Sequence, residues 1–367
     1  MLPVALTMAC GGRAWSAAAS RNWVARRSPG GQHVPSVEKE ADVSRAFLQC
    51  DDLHDLVIEQ FGSDRRLLTL DRLTGGTKKG VYRLTLDDRA TAILYVWAAS
   101  ESYWPPAPMV PDDPFTDADG ADLFAAAHKA LVEASIPTPD VLLLDRGHRH
   151  LDADIALVED AGSLRLESQM ENDPVSAAIT LTALGDALRR MHTTLGPRYG
   201  KIAAISDDPT PQTRPAQDVI LERALTHLDA AAPRDSRLAD AHHHIADHVR
   251  RLHAAVTPRR TYALVHGELG PDHVLVAATG EPRIIDIEGL AYFDIEWEHA
   301  WLQMRFDDAY PHLQPVQCDP DRLEFYRYAQ VLSLIEGPLR IAGTDFPNRQ
   351  WMLDLAEWNI IKALNTP

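Results

Sequence analysis

Between residues 65 and 100 apolar and polar positions alternate, and polar runs break the alternation. Leu67–Leu70, Val81–Leu86 and Ala92–Trp97 read as three strands, joined by Thr74-Gly75-Gly76-Thr77-Lys78-Lys79-Gly80 and by Asp87-Asp88. Period two with such connectors predicts an antiparallel set. Upstream, Val43, Phe47, Leu48, Leu53, Leu56, Val57 and Phe61 recur at helical spacing, so a helix is predicted over 42–61 with Gly62 as its stop. Downstream, Val141–Leu144 and Ile155–Asp160 are two more strands. Helices are predicted over 122–132, from the cap Asp173-Pro174 through Met191, and over 218–228, 238–252, 323–334 and 351–364. Residues 101–120 carry too many prolines and acids for regular structure and read as an inserted loop, a lid or a filler of a groove.

The chemistry gathers in one further hairpin. Val265 to Val276 and Arg283 to Glu288 are apolar strands around a polar loop, turned by Gly280-Glu281-Pro282, and they bring Glu268 and Asp286 to one end. Two carboxylates so placed suit phosphoryl transfer. One orients or deprotonates an attacking hydroxyl, and the other holds the cation that neutralises the transferred phosphate.

At 367 residues the chain can bury a large core and form two lobes. A net charge of −17 argues against a nucleic-acid partner, because phosphate backbones repel an acidic surface. Residues 1–40 hold five basic and two acidic side chains, so the remainder carries −20; that break predicts a disordered extension or a mis-assigned start. Cys10, Cys50 and Cys318 are odd in number and widely spaced, which suggests neither a disulfide framework nor a zinc site and fits a reducing cytoplasm. No stretch reaches membrane-span length. His242, His243, His244 and His248 admit a metal reading through the one-turn spacing of His244 and His248, and equally an exposed polar face.

The hairpin resembles the catalytic and metal loops of the aminoglycoside phosphotransferase and choline kinase family, whose patterns read His-Gly-Asp-x-x-x-x-Asn and Ile-Asp-Trp/Phe. The resemblance, over about residues 65–335, implies an α+β protein kinase-like bilobal fold: a small antiparallel-sheet N-lobe over 41–160 and a mainly helical C-lobe over 161–367. It implies that Glu268, with His266, occupies the catalytic position, that Asp286 and His273 are the metal ligands, and that Gly75, Gly76, Lys78, Lys79 and Gly80 cover the nucleotide phosphates. Backbone groups of Val158, Glu159 and Asp160 would meet the base. Glu298, in Phe293-Asp294-Ile295-Glu296-Trp297-Glu298, stands where the family braces its catalytic loop. The departures are Glu268 for Asp, His273 for Asn (as in macrolide kinases of the family) and Tyr95 for the strand-3 lysine. With-no-lysine kinases move that lysine to the glycine loop, and Lys79-Gly80-Val81-Tyr82 has the same spacing. Asp122 is the available acid for the kinase lysine partner on the following helix. The expected activity is nucleotide-dependent phosphorylation of a hydroxyl on a small molecule, with ATP or GTP and Mg2+, or Mn2+ given the imidazole. The alternative is a catalytically degenerate pseudokinase that binds nucleotide or serves as a structural module.

Overall fold

The computed structural model describes residues 45–366 apart from 75, 109, 208, 209 and 211. The expected extension over 1–40 lies outside the described residues, as does Gly75. The predicted N-terminal helix is shorter than its apolar spacing suggested. A single 3-10 turn, Cys50–Leu53, leads into α1, His54–Phe61, and residues 45–49 are irregular, with Leu48 N–H donating to the Tyr82 hydroxyl instead of to a helix.

The strands β1 (Leu67–Arg72), β2 (Gly80–Leu86), β3 (Thr91–Trp97), β4 (Val141–Asp145) and β5 (Asp154–Glu159) form one sheet in the order β1-β2-β3-β5-β4. Every pair is antiparallel. Alternation assigns the faces: Tyr82, Leu84, Leu86, Leu94 and Val96 pack beneath Leu53, Leu56 and Val57. Ile93, Tyr95 and Trp97 turn the other way, toward helix α2 (Ala121–Glu133) and the rest of the molecule.

Beyond β5 the chain is largely helical. Helix α3 (Leu166–Asn172) precedes α4 (Pro174–Thr193), capped by the Asp173 carboxylate on Ser176 N–H, and α4 buries Leu181, Leu184, Leu188 and Met191 as its spacing predicted. After the one-turn α5 (Ile202–Asp207) come α6 (Ala216–Ala231), α7 (Ser236–Ala255), α8 (Ile295–Phe306), α9 (Pro320–Ile341) and α10 (Arg349–Asn365), and helices α6 to α10 pack around one core centred on Phe293, Trp297, Phe325 and Tyr326. Two short sheets carry the functional loops. The pair β9 (Val274–Val276) and β10 (Pro282–Ile284) is the anticipated hairpin. The sheet β6-β8-β11-β7, from Leu195–Gly196, Tyr262–Val265, Ala291–Phe293 and Gly200–Lys201, was not anticipated, because strands of two to four residues leave no period to read. Among the described residues no helix is long and apolar enough to cross a membrane.

Candidate active site

Three loops meet where the large sheet faces the helices: the β1–β2 connector, the loop after β8, and the turn after β10. The first brings Lys79. Gly76 folds back so tightly that a Cβ there would lie 2.7 Å from the Lys79 carbonyl oxygen. The buried Lys79 Nζ is 2.9 Å from Asp286 Oδ1 and 2.5 Å from Glu288 Oε1, and 5.2 Å above the Tyr95 ring. The tyrosine in the strand-3 position and the lysine ahead of β2 therefore share one place. Burial alone would lower the ammonium's pKa, but Asp286 and Glu288 outweigh it and hold it above the usual lysine value. Lys78 points the other way, to the Ala118 carbonyl at 3.3 Å, and Gly80 opens β2.

The turn after β10 carries Asp286 in the left-handed region, φ 61° and ψ 49°, a conformation that few non-glycine residues adopt. Burial pushes its carboxyl up, yet the Lys79 ammonium and His273 prevail and hold it far below the usual carboxylate range. The 3-10 turn Ile287–Gly289 then buries Glu288, whose carboxyl is pushed above its ordinary value by burial, against the pull of Lys79.

Glu268 is exposed, on the loop that follows β8. Gly267 before it sits at φ +97°, and the Phe115 ring would be 3.2 Å from a Cβ there. Glu298, at the start of α8, braces this loop from below: Oε2 accepts from His266 N–H at 2.5 Å and from Gly267 N–H at 3.1 Å. Burial pushes its carboxyl up to about 7 against those backbone donors. The Trp297 indole N–H donates to the Gly267 carbonyl at 2.8 Å. His266 is fully buried, and its Nε2–H donates to the Ile285 carbonyl at 3.0 Å, tying the Glu268 loop to the Asp286 turn. Burial, with His273 adding, pushes that imidazole down to about 4, so it is neutral. His273 Nδ1 lies 3.2 Å from the Glu268 carbonyl, which can only accept. Its Nε2 lies 3.7 Å from Asp286 Oδ2 and from Asp272 Oδ2. Asp272 is itself paired with Arg305, which outweighs burial and lowers its pKa.

At the far end of the cleft Val158 lies within β5, and Asp160 just beyond it accepts from Arg83 of β2, at 2.7 Å and 3.1 Å, and from Gly162 N–H. A cavity of about 840 Å³ opens beside the backbone of residues 159–164 and the turn Val276–Gly280. The insert 101–120 crosses the remaining side. Phe115 stacks on Trp297, ring centroids 4.3 Å apart, and Asp113 is buried against Arg223 of α6.

The profile of the phosphotransferase enzyme family, APH, matches residues 69–327. The chain belongs to that family. Several solved family structures share its fold. An aminoglycoside phosphotransferase, APH(4)-Ia, in a ternary complex with ADP and hygromycin B is 16% identical with TM-score 0.56, covering 86% of this chain and all of that one. Spectinomycin phosphotransferase, APH(9)-Ia, with ADP and spectinomycin is 15% identical with TM-score 0.59, covering 86% and 98%. A GDP and kanamycin complex of a further aminoglycoside phosphotransferase is 18% identical with TM-score 0.56, covering 86% and 100%. No curated protein sequence matches the chain. The kinase-like α+β fold expected from the hairpin motifs is thus the fold of this phosphotransferase.

One expectation needs correction, and one open reading narrows. Asp122 does not approach Lys79; it pairs with Arg146 at the surface, because only the opposite face of α2 is apolar and packs inward. Of the two readings of the histidine cluster, the metal one has no group of three candidate ligands among the described residues. His242 and His243 pair with Asp229 and Asp247, and His248 packs edge-on to Tyr328. Sequence reasoning passed over Glu288 and Phe115. Glu288 had a signal, an acid two places after Asp286; Phe115 had none, since its partner lies far along the chain.

Proposed function

We propose that this phosphotransferase moves the terminal phosphoryl group of ATP or GTP to a hydroxyl of a small molecule, within the cleft bounded by Lys79, Glu268, His273 and Asp286. The observation that carries the reading is Lys79 with Asp286. A buried ammonium from the glycine loop, 2.9 Å from the carboxylate of the turn after β10, is the charge arrangement that phosphates and their cation require. A metal fits the donor set, since the Asp286 carboxylate and His273 Nε2 converge, 3.7 Å apart; imidazole favours Mn2+ over Mg2+. Bound there, it would neutralise charge on the transferred phosphate.

The chain's own groups do the rest. Glu268, open to solvent, takes the proton of the acceptor hydroxyl or orients it. Lys79 and the amides around Gly75, Gly76, Lys78 and Gly80 hold the phosphates. The backbone of Val158, Glu159 and Asp160 holds the base. His266 and Glu298 keep the Glu268 loop and the Asp286 turn in fixed relation. A chain that binds nucleotide without turning it over is the second reading, favoured by Glu268 standing where the family pattern has aspartate.

Melting of the purified protein with ATP and with GTP, with and without Mg2+ or Mn2+, tests the reading. A metal-dependent rise, absent in Asp286→Ala, is expected; no rise with any nucleotide ends it. Nucleotide hydrolysis lost by about a hundredfold or more in Glu268→Ala separates the enzyme from the non-catalytic binder.

A further inference from the structure

Phosphate-pairing lysines on the third strand of kinases are held by a glutamate from the following helix. Here both halves of that pair are gone from their places. Tyr95 of β3 faces Phe124 of α2, rings edge-to-face with centroids 5.5 Å apart. The buried face of α2 is Ala121, Phe124, Ala127 and Leu131, and its two acids are spent at the surface, Asp122 on Arg146 and Glu133 near Lys129. An aromatic contact therefore occupies the site of the ion pair. The charges themselves persist a short distance away. Lys79 Nζ, 5.2 Å above that same Tyr95 ring, meets Glu288 Oε1 at 2.5 Å, with both residues buried.

We propose that Glu288 is the positioning residue for Lys79, replacing the helix glutamate, a role that rests on the phosphotransferase reading above. Both members have moved together: the lysine from β3 to the glycine loop, the carboxylate from α2 to the turn Ile287–Gly289. A buried ammonium needs a polar partner that stays beside it. Asp286 would be shared with any metal bound in the cleft, whereas Glu288 is enclosed and keeps its contact with Lys79. The lysine is therefore set by the same turn that carries the metal carboxylate. Small shifts of α2, which in other kinases make or break the pair, leave it intact.

Nucleotide affinity in a double-mutant cycle tests this, using fluorescent ATP or GTP with Mn2+ on the full chain and the unliganded melting temperature as a check on folding. Lys79→Met and Glu288→Gln should each weaken binding by about ten- to a hundredfold. The Lys79→Met/Glu288→Gln double variant should bind no more weakly than Lys79→Met alone, and Asp122→Ala should bind as the wild type does. Wild-type affinity in Glu288→Gln, a full additional loss in the double variant, or equal weakening by Asp122→Ala overturns the proposal. Should Glu288→Gln fail to fold with Lys79 half-partnered, Lys79→Met against the double variant still decides, since neither leaves an unpaired buried cation. No nucleotide binding by the wild type overturns the phosphotransferase reading instead.

Discussion

At the scale of single residues, two of the three departures expected from the family pattern stand beside a related neighbour. Tyr95 in place of a lysine stands under Lys79. Glu268 stands on a loop braced by Glu298, and both are one methylene longer than an aspartate. Because the folded-state pKa of Glu298, about 7, lies above its ordinary 4.5, the folded protein holds this proton more firmly than the unfolded chain. Its contribution is complete below about pH 4.5 and is lost as pH rises through 7. Glu298→Gln keeps the acceptor oxygen and cannot ionise. Urea unfolding at pH 5 and pH 8 should therefore show the wild type losing stability on the order of 3 kcal/mol relative to Glu298→Gln. Parallel pH profiles would contradict the shift. Lys79 and Glu298 were both visible in the sequence, since each sits at a fixed offset inside a motif. Glu288 was visible as a letter but not as a partner, because its contact depends on how deeply the glycine loop folds into the cleft.

At the level of elements, strands and long helices followed their periodicity, and the errors came where tertiary contacts outweighed it. The apolar spacing that starts at Val43 is helical, yet Phe47 lies under the Arg72 guanidinium and Leu48 bonds to Tyr82, so residues 45–49 run irregularly beside the sheet instead. The insert 101–120 read as an inserted loop, a lid or a filler of a groove, because its composition is that of a loop. Its order comes from anchors that no local pattern reveals: Trp104 on Thr77, Phe115 on Trp297 and Lys201 on the Asp117 carbonyl. Phe115→Ala removes a partly buried ring stacked beside the Glu268 loop. It should cost about 2 kcal/mol in denaturant unfolding, with most of the loss recovered by Phe115→Tyr. An equal loss in both variants would place the strain elsewhere.

Across the whole molecule the architecture was readable from the order of strands and helices and from the family motifs. The buried ionic lattice was not. Asp294 collects Arg322, Tyr326 and Arg259, and Asp272 collects Arg305, all from positions distant in sequence whose charges look like ordinary surface residues until they are found enclosed. The insert has a consequence for heat. It leaves β3, hands Tyr103 N–H and the Trp104 indole to Thr77, lays Pro105 on Arg340 of α9, buries Asp113 against Arg223 of α6, and returns as α2. The small sheet is thereby buttoned to the helical body at several points besides the chain that links β5 to α3. Calorimetry should show one endotherm whose van't Hoff and calorimetric enthalpies agree, where a looser pair of lobes would melt in two steps.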